Sequence, residues 1–427
     1  MRSDNGIGAW LQTTTGIVAV LLVVQFLTGV LLAFYYVPSV DHAYTTVSYI
    51  EKVVSSGSWI RSLHHYGSQW LTVFVFIHVI RLFLTEAYAR TRLQWVAGIL
   101  ILGLVMAAGG TGYSLPWDAR AFFSTRIAEG LMAGLPLAGR LARLWLLGGS
   151  EISPVTLSRF FALHVLVIPA LIGAVAIWRL FRAQIAELFG PRDAILGGLV
   201  FLALALWALN YPAPLGPSVA EAGADYVPRP GAQFLWLYQS LKYIPGGLGS
   251  IVGVVLPGIV LAVLVALPWL KRQRLIAGSL LGMGVVLVVI MTTASYLSDR
   301  RDPRTAQQLS RQAAQEEAWR RQPFQPAIIT LAATTTSGAT AGGPPEMYTK
   351  FCANCHGAHG EGAQQGPLRF PPLLDVSTKP RRSVEDIVAL LKDPTAYGLE
   401  PPMRSFSNKL TEEQMREIAE WIVKLKR

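Results

Sequence analysis

The chain has 427 residues, of which 52% are hydrophobic and only 15% charged, and its mean hydropathy is positive. That composition reads as a polytopic membrane protein. The net charge of +11 does not make a nucleic-acid binder of it, because no basic patch interleaves with stacking aromatics. Only two cysteines are present, Cys352 and Cys355, and both fall in one motif, which leaves none for a structural disulfide.

Apolar runs long enough to span a bilayer need about 20 residues. Seven are expected: Thr14–Val37, Trp59–Leu84, Leu93–Leu115, Leu157–Phe181, Ala194–Tyr211, Ser250–Leu270 and Leu275–Leu297. The first is too long for the apolar core of a cleaved signal and is expected to be a retained anchor. Lys and Arg choose the orientation. Arg90 and Arg92, Arg179 and Arg182, and Lys271, Arg272 and Arg274 mark one set of loops as inside, with the N-terminus. Seven crossings then place the C-terminal part outside.

The second run carries His64, His65 and His78. Buried ionisable groups in a span are costly and usually functional. His64 and His78 are fourteen residues apart, so they share a helix face roughly 21 Å apart along the axis. One metal centre near each membrane surface fits that spacing. A polar helix contact is the plain alternative. His65 lies about 100° away and belongs to another face.

After the last run, residues 299–345 read as a linker. Its first half is rich in Arg, Gln, Ala and Glu, suited to a surface helix, and its second half, ATTTSGATAGGPP, to a flexible tether. Residues 346–427 form a small soluble domain that ends in the amphipathic LTEEQMREIAEWIVKLKR, with Thr411 and Gln414 as a capping box. Within it, Cys352-Ala353-Asn354-Cys355-His356 is a CxxCH motif. Such a motif attaches a c-type haem through both thiols, with His356 as proximal iron ligand. A zinc site or redox dithiol is the alternative, but only His359 is near as a further ligand. Met403, in LEPPMRSF, is the expected thioether ligand, whereas Met347 and Met415 lie on apolar helix faces and read as core.

These motifs carry two resemblances. The soluble domain resembles a class I cytochrome c. The first 300 residues resemble cytochrome b of the quinol:cytochrome c oxidoreductases, above all the branch of chloroplasts, cyanobacteria and Firmicutes. The matching motifs are FYYVPSVDHA, WIRSLHHYG, FIHVIRLFL, TGYSLPWD and LSRFFALHVLVIPAL. The fold expected is therefore all-α, a membrane helical bundle of seven spans with a small all-α cytochrome c domain. Residues 1–190 would be the four-helix haem-binding bundle and residues 191–298 three spans like the companion subunit.

The resemblance implies an outer b haem between His64 and His164. It implies packing glycines at Gly29, Gly98 and Gly112, and arginines at Arg61 and Arg81 near haem propionates. Plain helix packing and ordinary interfacial arginines are the alternatives for these five. At the inner end the pattern fails. Trp178 and Arg179 stand where the second ligand is expected, and Thr15 stands where a glycine is expected. A guanidinium is a poor iron ligand, so either the inner haem is lost or it hangs on His78 alone. The quinol site departs too: Pro230-Gly231-Ala232-Gln233 replaces a motif whose glutamate takes a quinol proton in the family.

The function expected is one-electron transfer by a membrane cytochrome b/c subunit of such a complex, with one b haem, one covalent c haem and a quinone or quinol. The resemblance implies a Rieske iron–sulfur partner, a soluble cytochrome or terminal oxidase as acceptor, and a bacterial inner membrane with the c domain on the periplasmic side. Two other functions remain open. One is a membrane anchor that docks the c domain to a larger redox assembly. The other is a haem sensor with an open coordination position.

Overall fold

The structure is a computed structural model. It describes residues 14–182, 190–324 apart from 224 and 245, and 344–425 apart from 366–367, 371, 374–382, 398–402 and 404. Its contacts divide the chain into a membrane unit and a C-terminal unit.

Seven helices of the membrane unit are long and apolar enough to cross a bilayer. α1 (Thr14–Ala33) is followed by the short amphipathic α2 (Ala43–Lys52) and by α3 (Gly57–Leu84). α4 (Arg92–Tyr113) leads into two surface helices, α5 (Ala119–Ala133) and α6 (Gly139–Leu147). The fourth span, α7, has three pieces: Pro154–Ala162, a π-helical turn at Leu163–Val167, and Ile168–Arg182. Next come α8 (Pro191–Asn210), the short α9 (Leu235–Lys242), α10 (Ile251–Trp269) and α11 (Gln273–Arg301). Apolar residues of α1, α3, α4 and α8, including Leu21, Leu71, Val75 and Leu204, interdigitate in the largest core cluster. A second cluster joins Val79, Trp95 and Ile99 to Leu264 and Leu281 of the last two spans. Large exposed apolar side chains line the outer helix faces, as a lipid environment requires.

The two π-helical turns have one cause. Proline clashes with the carbonyl four residues before it and offers no N–H. Pro169 follows Val165 by four residues, Pro257 follows Gly253 by four, and both Val165 and Gly253 lie inside π turns. Widening the turn by about one residue relieves the clash.

The polar helix α12 (Pro303–Arg321) is the first half of the expected linker. Asp302 caps it by accepting from the amides of Arg304 and Thr305. The helix lies on the membrane unit. Glu316 accepts from the Leu215 amide at 2.8 Å and pairs with Arg120 at 3.2 Å. Arg320 pairs with Glu51, and Lys52 donates to the Trp319 carbonyl at 2.6 Å. The tether expected at the end of the linker lies outside the described residues.

The C-terminal unit holds α13 (Glu346–Phe351), α14 (Ala353–His356), α15 (Val384–Lys392) and α16 (Glu412–Lys424). An antiparallel pair, β1 (Ala363–Gln365) and β2 (Leu368–Phe370), interrupts the otherwise helical domain. Its core packs Tyr348 and Cys352 against Ile387, Leu391, Met415, Ile418 and Ile422. Thr411 and Gln414 form the expected capping box.

Candidate functional site

α3 and α7 bring His64 and His164 together. Their ring centroids are 5.9 Å apart and the rings stand at 80°. Each ring leans on a glycine of a neighbouring span. A Cβ on Gly29 would sit 3.1 Å from Cε1 of His64, and one on Gly112 would sit 2.4 Å from Cε1 of His164. These glycines therefore make room for the imidazoles themselves. His164 lies within the π turn of α7.

Hydrogen bonds fix which nitrogen each ring offers. The Thr28 hydroxyl donates to the Val24 carbonyl at 2.6 Å, so its oxygen accepts from Nδ1 of His64 at 2.9 Å. Nδ1 of His164 donates to the Ala108 carbonyl at 3.0 Å. Both Nε2 atoms are left as lone-pair donors, the state a metal-bound histidine needs. The pair thus fits a bis-histidine b haem. Thr28 and Ala108 are contacts that no motif in the sequence announced.

Arg61 is buried and committed to protein partners. It donates to Glu51 at 2.6 Å and to the carbonyls of Ala213 and Pro214. His65 faces away from the pair and contacts Gln69 at 3.0 Å.

At the other end of α3, Nδ1 of His78 meets the Thr14 hydroxyl at 3.0 Å. Arg81 donates to the hydroxyls of Thr14 and Thr15 at 3.3 and 3.2 Å. A cavity of about 30 Å³ lies here, lined by Thr15, His78, Gly98 and Arg179. A Cβ on Gly98 would meet Leu82 at 2.6 Å. Of the seven histidines in the sequence none other than His78 lies here. The residues at this end do not fit a bis-histidine haem.

In the C-terminal unit, Cys352 and Cys355 flank the start and end of α14, which terminates at His356. Gly357 follows at φ +82° and permits the sharp exit, a left-handed conformation that suits glycine. Tyr348 donates to the Gly357 carbonyl at 2.8 Å and pins that turn. Burial, and then the neighbouring Cys355, push the Cys352 thiol up to about 12. A reactive redox dithiol needs a lowered thiol pKa, and these surroundings raise it instead. Met403 packs against the core that contains Cys352, as Phe406 does. Met415 is buried core and Met347 packs on it.

In the stretch that departs from the expected quinol motif, Gln233 packs its side chain against α4 at Gly109, and its buried Oε1 has no hydrogen-bond partner among the described residues. The Tyr113 hydroxyl donates to the Arg229 carbonyl at 2.8 Å and holds this loop.

A helical membrane bundle with a half-buried histidine pair, joined to a CxxCH domain, defines a membrane haem protein of electron transfer. The comparisons narrow that class. Residues 6–185 match the family model Cytochrome b/b6/petB, and residues 345–426 match Cytochrome c. Cytochrome b6 of Prochlorococcus marinus (strain MIT 9303) is 36% identical over 177 residues, 41% of this chain and 81% of that protein. The menaquinol:cytochrome c reductase cytochrome b subunit of Geobacillus thermodenitrificans is 38% identical over 164 residues, 38% of this chain and 73% of the relative. A solved structure titled "Hyperthermophilic respiratory Complex III" shares the fold, with a TM-score of 0.51 at 21% identity, covering 72% of this chain and 89% of its own. The chain belongs to the cytochrome b/b6 family, and a cytochrome c domain follows its membrane part.

Proposed function

We propose that this chain carries electrons in a quinol:cytochrome c oxidoreductase-like complex through one b haem and one c haem. His64 and His164 would hold the b haem at the outer end of the bundle. Cys352 and Cys355 would bind the c haem covalently, with His356 and Met403 as its axial ligands. The single observation that carries this reading is the His64/His164 pair with both Nδ1 atoms occupied. A purely structural anchor has no need for two imidazoles held in matched tautomers.

When bound, each haem supplies a one-electron store. The chain supplies orientation and exclusion of water. Thr28 and Ala108 hold the rings, and Leu21, Leu71 and Val75 keep the bundle dry. The Gln233 amide oxygen can accept a hydrogen bond from a quinol hydroxyl but cannot take its proton. The quinol proton would then go to water or to another subunit. The unmatched His78 end gives no station for a second electron, so the chain would not run a full Q-cycle by itself. An iron–sulfur protein of the Rieske type fits as electron partner, and a soluble cytochrome or terminal oxidase as acceptor. The loop charges support a c domain on the periplasmic side of a bacterial inner membrane.

A pyridine haemochrome count with redox titration of the purified protein tests this. One b and one c haem per chain is the expected result, with the b haem showing a single midpoint. Two b haems would restore the conventional two-haem bundle and overturn the one-haem path.

A further inference from the structure

A cavity of about 450 Å³ opens between the end of α11, the start of α12 and the loop before α9. Its size is that of a ligand site. One wall is fixed and electrically balanced. Arg229 donates to Asp299 through Nε at 2.8 Å and also through Nη2, and it reaches the Tyr238 hydroxyl at 2.8 Å through Nη1. The other wall offers donors. Ser295 is 1% exposed and lines the cavity, yet its hydroxyl has no hydrogen-bond partner among the described residues. Arg300 lines the same cavity and is exposed, with no hydrogen bond or ion pair among the described residues. The remaining wall is largely apolar and includes Leu235 and Leu309.

The depth of the cavity follows from helix length. α11 has 29 residues, so it is about 43 Å long and exceeds a hydrocarbon core of about 30 Å. Its final turns, from Ser295 to Arg301, reach the headgroup layer. Tyr296 beside the cavity is half exposed, as aromatic residues at that layer are.

We propose that this cavity binds the phosphate headgroup of an anionic membrane phospholipid. Arg300 can only donate, and the Ser295 hydroxyl can donate as well as accept, so a ligand rich in acceptors suits both. A phosphodiester accepts with charged oxygens. Asp299 is already taken by Arg229, so Arg300 leaves the cavity with one net positive charge. The Ser295 hydroxyl and the Arg300 guanidinium would donate to the phosphate. The start of an acyl chain would cover Leu235 and Leu309. An unpaired hydroxyl away from water is costly, and the lipid would remove that cost.

Full-length, haem-loaded protein, delipidated in detergent, provides the test. It would be titrated separately with phosphatidylglycerol, phosphatidylcholine and inorganic phosphate, with native mass spectrometry and thermal unfolding as readouts. One phosphatidylglycerol per chain should be retained and should raise the unfolding midpoint. Arg300→Glu should weaken retention at least tenfold. Leu309→Trp, which fills the cavity without changing its charge, should do the same, whereas Arg272→Glu at the opposite end of α11 should leave it unchanged. Equal stabilisation by phosphatidylcholine would overturn the anionic headgroup, and equal stabilisation by inorganic phosphate would overturn the lipid. Retention unaffected by both cavity variants, or no retention at all, would overturn the site.

Discussion

At the scale of single residues, the histidine pair depends on atoms that are not titratable. Thr28 can accept from His64 only because its own proton is used on the Val24 carbonyl. Thr28→Val keeps the volume and removes the acceptor. Losing a partner behind a metal ligand costs roughly 10–100-fold in metal affinity or activity. We expect the variant to fold and to lose b haem on dilution about that much more readily, as absorbance at the b-haem band would report. At the other end of α3, Arg179 lines the small cavity beside His78. Arg179→His would supply the absent imidazole, and a second b haem should then appear in the haemochrome count. An unchanged count would place the obstacle elsewhere, in Thr15 or in Leu82 against Gly98.

At the scale of elements, α12 is a polar helix fastened by charge. Burial works against ionised Glu51, but Arg61, with the Ser58 hydroxyl and Arg320, outweighs it and holds the Glu51 carboxyl below its ordinary value. A carboxyl lowered in the folded state contributes stability above its ordinary pKa of about 4.3, and that contribution disappears as pH falls through the lower folded value. α12 should therefore stay docked at neutral pH and loosen below about pH 4. Glu51→Gln should loosen it at neutral pH as well and remove the pH dependence, because removing one partner of a buried pair costs about 3–5 kcal/mol. Fluorescence of Trp319, which lies under the Lys52 ammonium at 3.9 Å, would follow the release.

Legibility in the sequence follows the range of the interaction. The seven spans were legible because length and apolarity are local properties. The CxxCH motif was legible because its chemistry fits within five residues. The docking of α12 was not, since Glu316 meets Leu215 and Arg120 across a hundred residues or more, and an all-polar helix shows no apolar stripe. Thr28 and Ala108 were hidden for the same reason. The resemblance named Arg61 as a partner for haem propionates, whereas the fold brings Glu51 against it, from a helix whose position no motif encodes.

At the scale of the whole molecule, the chain is two units with separate cores and separate chemistry. Leu21, Leu71 and Leu204 belong to one, and Tyr348, Leu391 and Ile418 to the other. Haem attachment in one should not decide folding of the other. Cys352→Ser with Cys355→Ser should abolish the covalent haem seen by peroxidase staining of a denaturing gel. The b-haem spectrum of the same membranes should keep its full amplitude. Loss of both signals together would mean that the two units mature as one.

The proline at position 169 also works as a phase counter. On an uninterrupted α-helix, a residue fourteen places after His164 points about 40° from it, and one fifteen places after about 60° to the other side. The extra residue in the wide turn advances the count by one, so Arg179 takes the direction that Trp178 would have had. Trp178 is accordingly 42% exposed, while Arg179 faces the cavity beside His78. A chain with alanine at position 169 would be free to close that turn. It would then rotate the inner half of α7 by about one residue and present an indole where the guanidinium now stands. Which side chain faces His78 is thus decided by an imino acid ten residues away.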